Sequence, residues 1–227
     1  VVERKTTELV GRYFCESGIH FVRPDNPRIS QDILIAADQL NGAEPGQIVL
    51  VISNNPKCSA IEYAIENSIS HVIINETRYP NPHTRNELLT ATCVKAEIDL
   101  ICLAGYMKML PPAIVKEYEN KILNIHPGLL PEFGGKGFFG MRVHEAVIES
   151  GKRESGATVH FVDEIYDHGP IIAQKKVEIL ESDTAESVAA KVLKLEHELF
   201  PEVVKAFCED RIMIENNKPK LVEYNEN

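Results

Sequence analysis

The chain has 227 residues, of which 44% are hydrophobic and 26% are charged, a composition typical of a globular protein. Its net charge of -10 at pH 7 argues against a general nucleic-acid-binding protein, whose binding surface would be basic. No apolar run approaches the ~20 residues of a membrane helix, and no signal-peptide pattern is visible. The five cysteines are scattered, with no C-x-x-C pair, which indicates reduced thiols and a cytoplasmic location.

The first 46 residues are the hardest part of the chain to interpret. Thr6–Cys15 has helical spacing, Gly18–Val22 could form a strand, and Ile33–Leu40 is predicted to be a helix. Between the last two segments, a stretch with two prolines, residues 23–30, is predicted to form a rigid turn.

From residue 47 onward, short β-branched runs alternate with segments of helical periodicity. Strands are predicted at Ile48–Ile52, His71–Ile74, Leu100–Ala104, Lys121–Ile125, Thr158–Val162 and Ile171–Ile179. Helices are predicted at Ser59–Asn67, from Thr84 or Asn86 to Ala96, at Pro112–Tyr118, at Val143–Glu149 and over residues 185–209. This alternation predicts an α/β fold with a mainly parallel, twisted sheet flanked by helices. In such sheets, ligands bind beyond the carboxyl ends of the strands.

Two polar side chains, Asn124 and His126, end the fourth of these strands, immediately before a long Gly/Pro-rich loop. Residues two apart in a strand point to the same face, so an amide and an imidazole are predicted to lie side by side. With Asp167 nearby to raise the pKa of the imidazole, they could stabilise an oxyanion on a carbonyl carbon under attack. No serine or cysteine lies in a nucleophile elbow, so the nucleophile is expected to come from the substrate.

Each of these residues also has a plain structural interpretation. A histidine before a proline is often a turn residue, and Asp167 lies in an acidic turn where carboxylates are common. The remaining histidines of the second half of the chain are interpreted as structural: His144, His160, His168 and His197.

Four strings together resemble the phosphoribosylglycinamide formyltransferases, within the wider formyltransferase family. They are LAGYMKMLPP (103–112), ILNIHPGLLPEFGGKGFFGMRVHEAVIESG (122–151), SGATVHFVDEIYDHGPIIAQ (155–174) and LEHELFPEVV (195–204). The resemblance implies a Rossmann-like formyltransferase fold with an antiparallel element towards the C-terminal part. It places the formyltransferase domain at 47–212, after a divergent segment at 1–46 and before a tail at 213–227.

The resemblance also implies roles for particular residues. Asn124 and His126 match the residues that grip the formyl carbonyl, and Asp167 matches the acid that tunes His126. The residues implied to bind 10-formyltetrahydrofolate are Met107, Lys108, Met109, Leu110, Asp163, Glu164, Ile165, Tyr166 and, by its nearby position, Arg85. Glu196 matches a helix residue on the side of the glycinamide amine. No metal, nucleic acid or membrane is implied, and a homodimer is possible.

One motif of the family is missing, the Gly-rich loop near the N-terminus whose backbone N–H groups hold the substrate phosphate. In one alignment, residues 19–40 replace that strand, loop and helix, so that Arg28 and Ser30 hold the phosphate by charge and by a helix cap. In the other alignment, residues 6–15 are the first helix and residues 16–46 are an insertion.

Three functions remain open on the sequence. The leading one is formyl transfer from 10-formyltetrahydrofolate to glycinamide ribonucleotide in purine biosynthesis. The second keeps the formyl-folate chemistry with another acceptor, an amino sugar or water. The third is a folate-binding homologue without catalysis, against which the complete set of Asn124, His126 and Asp167 argues.

Overall fold

The computed structural model describes residues 33–38, 47–66, 68–216 and 218–222. The chain divides into two compact units, with the division between Asn124 and Ile125. The predictions for residues 6–15, 18–22 and 23–30 lie outside the described residues.

The first unit contains strands and helices that alternate along the chain after the first strand. Its strands are β1 (Ile33–Asp38), β2 (Gln47–Ser53), β3 (Ser70–Ile73), β4 (Leu100–Ala104) and β5 (Ile122–His126), of which β5 runs across the division. Its helices are α1 (Ser59–Glu66), α2 (Pro82–Lys95) and α3 (Pro112–Glu117). The predicted strands and helices from residue 48 onward are confirmed here, with ends that differ by at most two residues, or by four where α2 is counted from Asn86.

The sheet of the first unit has the order β3-β2-β1-β4-β5 and is mixed. Strands β2 and β3 are parallel, and so are β4 and β5, as the alternation with helices predicts. Strand β1 is antiparallel to both of its neighbours, pairing Ile35 with Val51 and with Cys102. The prediction of a helix at Ile33–Leu40 is therefore wrong. Periodicity alone does not separate a short apolar run in a helix from one in a strand, and pairing with two strands decides it.

Burial explains the apolar runs of the first unit. All five residues of β4 are buried, as expected of a central strand covered on both faces. Helix α2 begins earlier than predicted because Asn81 is its N-cap, accepting hydrogen bonds from the backbone N–H groups of His83 at 2.8 Å and Thr84 at 3.4 Å. Cys58, Cys93 and Cys102 are buried and form no disulfide among the described residues, as the sequence predicts for Cys102.

The second unit combines an antiparallel strand pair with two helices and a small hairpin. Its elements are helix α4 (Met141–Glu149), strands β6 (Glu154–Phe161) and β7 (Ile171–Glu178), helix α5 (Ala185–Cys208), and strands β8 (Ile212–Glu215) and β9 (Lys218–Leu221). Strand β6 pairs antiparallel with β7, which confirms the predicted antiparallel element. The hairpin of β8 and β9 lies mostly in the segment that the sequence interprets as a tail.

Helix α5 packs against β6, β7 and α4 and supplies much of the core of the second unit. Val188, Val192, Phe200 and Val203 of this helix are almost completely buried. Seven of the eight residues of β6 are buried, so this strand is covered on both faces although its neighbour is antiparallel. None of the helices in the described part of the chain is long and apolar enough to cross a membrane.

A polar cluster fixes the start of α5. Thr184 is the N-cap and exchanges hydrogen bonds with Ser187 in a capping box. Asp183, just before it, accepts hydrogen bonds from the Leu180 backbone N–H and the Ser187 hydroxyl at 2.8 Å each, and forms an ion pair with Lys191. The hydrogen bond from Lys191, followed by those from Leu180 and Ser187, lowers the pKa of Asp183 to about 2.

Replacing Asp183 with Asn is expected to lower the free energy of unfolding at neutral pH, because the charged partner of Lys191 is lost. A carboxyl group whose pKa is lowered on folding stabilises the protein above its unfolded pKa of about 3.9. The difference between wild type and Asp183→Asn should therefore be full near pH 7 and shrink as the pH falls towards about 2. Urea unfolding at a series of pH values measures it, with Glu149→Gln on the exposed end of α4 as control. A difference that stays constant with pH would contradict this assignment.

Candidate active site

The two polar residues at the end of β5 lie as the sequence predicts. Asn124 and His126 both belong to the strand, and Asn124 pairs with Leu103 of β4. Since they are two apart in an extended strand, their side chains leave the same face. His126 is 3% exposed, whereas Asn124 is partly exposed.

Both ring nitrogens of His126 face oxygen atoms of the protein. Nε2 lies 2.6 Å from the carbonyl oxygen of Phe133, in the loop that follows the strand. Nδ1 lies 3.6 Å from Oδ2 of Asp167, close enough for an ion pair but too long for a direct hydrogen bond. A carbonyl oxygen only accepts, so Nε2 of His126 carries a proton that it donates to Phe133.

The backbone of Gly128 lies so close to the His126 ring that only glycine fits at this position. A Cβ atom on Gly128 would lie 2.9 Å from Cγ1 of Val143 and 3.1 Å from Nε2 of His126. A side chain at this position would therefore displace the imidazole or the first turn of α4. The glycine in the string N-I-H-P-G is a packing requirement of the site.

Asp167 occupies a left-handed backbone position with φ 54°, a conformation that Asp and Asn adopt more readily than other residues with a side chain. Its Oδ2 accepts a hydrogen bond of 2.9 Å from the backbone N–H of Gly135, which ties the acidic turn to the Gly-rich loop. A Cβ on the adjacent Gly134 would lie 3.0 Å from the Cβ of Asp167 and would also collide with the Leu130 side chain. The F-G-G string thus lets the loop reach the carboxylate.

A second imidazole contacts the same carboxylate. Nε2 of His160, on β6, lies 3.7 Å from Oδ1 of Asp167, and its Nδ1 lies 2.7 Å from the carbonyl oxygen of Phe161. The interpretation of His160 as merely structural misses this contact, because only the turn after β6 brings Asp167 back to it. The same-face spacing of Thr158 and His160 was the available signal.

Burial and nearby groups shift the pKa values of both His126 and Asp167. Burial lowers the pKa of His126, against the opposing effect of Asp167, and the net direction is down. For Asp167, burial raises the pKa, but contact with His160 and His126 and the hydrogen bond from Gly135 outweigh it, so the pKa is lowered. At neutral pH, Asp167 is therefore ionised while His126 is mostly neutral.

A further buried histidine, His144 on α4, lies near His126. Burial, with a smaller effect of His126, lowers the pKa of His144 to about 4, so it is neutral at pH 7. Within the part of the chain that the structure describes, its Nδ1 has no hydrogen-bond partner. Its interpretation as a structural histidine stays a prediction.

Two polar side chains, the buried Thr158 and the exposed Gln174, hold the segment that follows His126. The Thr158 hydroxyl donates to the Gly128 carbonyl at 2.6 Å and accepts from the Leu130 backbone N–H at 3.2 Å. The Gln174 amide donates to the Leu130 carbonyl at 3.0 Å and to Thr158 at 2.8 Å. Sequence reasoning did not single out either residue, although together they set the path of the loop that carries Phe133.

In the first unit, two residues expected to bind folate meet at one carboxylate. Lys108 Nζ lies 3.3 Å from Oε1 of Glu76, and Arg85 Nη2 lies 3.8 Å from the same oxygen. Arg85 also donates from Nη1 to the carbonyl oxygens of Tyr79 and Pro80 at 2.7 and 2.8 Å, so it holds the loop before α2. The neighbouring Met109 is largely exposed, while Leu110 is buried and Met107 is partly exposed.

The acidic turn of the second unit is held by its own side chains. Asp163 accepts a hydrogen bond of 2.8 Å from the Ile165 backbone N–H, and its Oδ2 lies 2.7 Å from Nδ1 of His168. Ile165 is 60% exposed, whereas Tyr166 is partly covered and Glu164 is exposed. An apolar side chain held outward by a structured turn is available to contact a ligand.

The acceptor-side residues divide into one that the structure describes and two that it does not. Glu196 lies in the middle of α5, and burial raises its pKa to about 8. Arg28 and Ser30 lie outside the described residues, so the phosphate contacts assigned to them stay predictions. Within the described residues, no group of three or more His, Cys, Asp or Glu side chains is placed to hold a metal ion.

Comparison with known sequences identifies the family of the chain. Residues 19–204 match the family described as Formyl transferase. The chain is 44% identical over 186 residues to the chloroplastic phosphoribosylglycinamide formyltransferase of Vigna unguiculata, an alignment that covers 82% of the chain and 60% of the relative. It spans only 60 to 64% of the length of the first chloroplastic relatives that it matches.

Comparison with solved structures gives the same fold. Glycinamide ribonucleotide transformylase 1 of Symbiobacterium toebii is 34% identical, with a TM-score of 0.72 over 79% of this chain and 82% of that one. A formyltetrahydrofolate deformylase of Pseudomonas syringae is 26% identical, with a TM-score of 0.69 over 78% of this chain and 57% of that one. Because the family match extends over most of its length, the chain belongs to the formyl transferase family.

Proposed function

We propose that the protein transfers the formyl group of 10-formyltetrahydrofolate to the amine of glycinamide ribonucleotide, a step of purine biosynthesis. The observation that carries the proposal is the buried pair of His126 and the ionised Asp167, joined to Asn124 by one strand. The names of the Vigna relative and of the Symbiobacterium structure support the choice of acceptor.

The reaction needs two proton movements and no oxidant. The acceptor nitrogen forms a bond to the formyl carbon, whose oxygen becomes an oxyanion. The bond from that carbon to N10 of the folate then breaks, the carbonyl re-forms, and the proton lost by the amine ends on N10. Two donors near the oxygen and one group that can take and return a proton suffice.

His126 can perform the proton step at Nδ1, because Nε2 is committed to the Phe133 carbonyl. The neutral ring accepts the proton of the attacking amine at Nδ1, and the imidazolium that forms is stabilised by Asp167 at 3.6 Å. Its new N–H and the amide of Asn124, two residues earlier, then donate to the oxyanion. The same proton passes to N10 as the folate leaves.

Replacing Asp167 with Asn is expected to lower kcat by a factor of about 10² to 10⁴, the usual contribution of a general acid–base group. Without the carboxylate, the imidazolium of His126 loses its counter-charge, while Asn still fits the left-handed backbone. The Michaelis constants for both substrates should change little. Tetrahydrofolate release, followed by absorbance, measures these parameters.

The matched control is Asp210→Asn, at an exposed residue with a similar φ of 52°. It should leave turnover unchanged. A near wild-type rate for Asp167→Asn would remove Asp167 from the mechanism.

The acceptor side of the proposal depends on Glu196. With its pKa raised to about 8, this carboxyl group is mostly neutral at pH 7, and an approaching amine in its ammonium form would favour its ionisation. Binding of glycinamide ribonucleotide should therefore tighten as the pH rises through about 8, until the amine itself loses its charge.

Glu196→Gln is expected to raise the Michaelis constant for glycinamide ribonucleotide and to flatten its dependence on pH between 7 and about 8. The Michaelis constant for 10-formyltetrahydrofolate should stay the same, which serves as the internal control. If this Michaelis constant depends on pH in the variant as it does in the wild type, Glu196 does not interact with the acceptor amine.

One assay distinguishes this function from its alternatives. The protein is mixed with 10-formyltetrahydrofolate alone and then together with glycinamide ribonucleotide, and tetrahydrofolate is followed. Release only with the nucleotide supports the proposed transfer. Release without an acceptor would indicate a hydrolase, the activity named for the similar Pseudomonas deformylase. Folate binding without release would indicate a non-catalytic homologue.

The remaining residue assignments are part of the same proposal. The folate is proposed to contact the segment after β4, which is Met107, Lys108, Met109 and Leu110. It is also proposed to contact the acidic turn, which is Asp163, Glu164, Ile165 and Tyr166. Arg85, which shares Glu76 with Lys108, is the last proposed contact. Arg28 and Ser30 are proposed to hold the substrate phosphate. A cytoplasmic location and a homodimer are proposed too; the Vigna relative is named chloroplastic, so localisation of the full gene product tests the first.

A further inference from the structure

The hairpin of β8 and β9 exposes an apolar strand. Met213 and Ile214, which are neighbours in β8, are 51% and 47% exposed. Successive side chains of a strand point to opposite faces, so β8 is open on both faces at its centre. Strand β9 also contacts β7, whereas β8 pairs with no second strand among the described residues. The sequence of β8, Ile-Met-Ile-Glu, has neither the lysine nor the proline that commonly protects such an edge.

The pairing of β8 with β9 determines which backbone groups of β8 point outward. Ile214 is opposite Pro219, which has no N–H, so these two residues form a non-hydrogen-bonded pair. Because the two kinds of pair alternate along an antiparallel ladder, Ile212 belongs to another non-hydrogen-bonded pair. The Val222 N–H donates to the carbonyl oxygen of Arg211 at 2.9 Å, as this alternation requires. The N–H and C=O groups of Ile212 and Ile214 therefore point to the outer edge.

A second copy of β8 fits this edge. An exposed strand edge binds another extended strand through hydrogen bonds between the two backbones. Two identical strands related by a two-fold axis pair antiparallel, and the outward groups of Ile212 and Ile214 must then bond to each other. Either residue can lie opposite its own copy, or Ile212 can lie opposite the partner's Ile214. These three registers bring different side chains together.

The side chains select the third register. In this register, Ile212 faces the partner's Ile214, and Met213 lies on the two-fold axis opposite its own copy. Arg211 then lies opposite the partner's Glu215, so that opposite charges meet. In the other two registers, Met213 lies opposite a charged residue, either the partner's Glu215 or the partner's Arg211. Apolar side chains face each other and opposite charges face each other only in the third register.

Charges beside the strand support the same register. Glu215 is exposed and lies opposite Lys218 of β9. In the third register its other neighbour is the partner's Arg211, so the carboxylate lies between two cations. Arg211 also forms an ion pair with Glu209 of its own chain, at 2.7 Å. Charges of alternating sign would thus cross the junction between the two copies.

We propose that β8 is a homodimer interface, at which two copies of this chain join their β8 strands antiparallel about a two-fold axis with Met213 opposite its own copy. The two hairpins then form one four-stranded sheet. Because so short a strand buries little surface, the dimer forms in a concentration-dependent way. The proposal is independent of formyl transfer, since no residue of the hairpin belongs to the candidate active site.

Cysteine cross-linking tests the register directly. Met213→Cys should form a disulfide between two chains under mild oxidation, because Cα atoms of a non-hydrogen-bonded pair lie about 4.5 Å apart, within the range of a disulfide. Ile214→Cys is the matched control, at a neighbouring residue of similar exposure. Its two copies would be offset along the strands, too far apart for a disulfide. Non-reducing gel electrophoresis measures the cross-linked fraction, and the wild type gives the background from its own cysteines, of which Cys208 is partly exposed.

Exchange of charge at the two-fold axis gives a second test. Met213→Lys and Met213→Glu each place like charges opposite one another, so each should weaken dimerisation at least about tenfold. An equimolar mixture of the two variants places opposite charges there and should form dimers again. Sedimentation velocity at a series of protein concentrations measures all three samples beside the wild type, and circular dichroism verifies that the variants are folded.

Three results would overturn the proposal. One is a wild type that sediments as a monomer at every concentration, which would leave β8 open to an extended segment of another protein. Another is equal cross-linking of Met213→Cys and Ile214→Cys, or of neither above the wild-type background. The third is a dimer that persists unchanged in Met213→Lys, which would place the interface elsewhere. A lack of formyl transfer would refute the proposed function and leave these results valid.

Discussion

The site depends on one carboxylate held in place within the second unit. Asp167 reaches two imidazoles and a backbone N–H only because its own backbone turns into the left-handed region and a glycine-rich loop comes up against it. Burial alone would raise the pKa of this acid, and the surrounding donors outweigh that effect. A charged group that is sheltered from water and lies beside His126 supports the proposed proton transfer at that ring.

The parts of the fold around it serve to fix that geometry. Thr158 and Gln174, on neighbouring antiparallel strands, satisfy the backbone groups of Gly128 and Leu130. The loop is thereby anchored at its start, and the bond from Gly135 to Asp167 anchors it again further along. Buried polar groups that are fully paired in this way specify a single arrangement, which a site built from loops requires.

Much of the fold could be predicted from the sequence, because strands and helices from residue 48 onward have distinct periodicities. Ile33–Leu40 could not, since a short apolar run fits a helix or a strand until its neighbours are known. Asn124 and His126 were predictable from spacing along one strand. The contact of Asp167 with His160 was not, because it depends on the turn that closes between them, and the grip of Arg85 on Tyr79 and Pro80 likewise depends on loop geometry.

In the proposed reaction, the formyl oxygen is held by Asn124 and by Nδ1 of His126 while Nε2 stays on the Phe133 carbonyl. A crystal structure with glycinamide ribonucleotide and a non-reactive analogue of 10-formyltetrahydrofolate tests it most directly. The analogue's carbonyl oxygen is expected within about 3.2 Å of both the Asn124 amide and His126 Nδ1. An oxygen bound at Nε2 in place of Phe133, or away from β5 altogether, would contradict it.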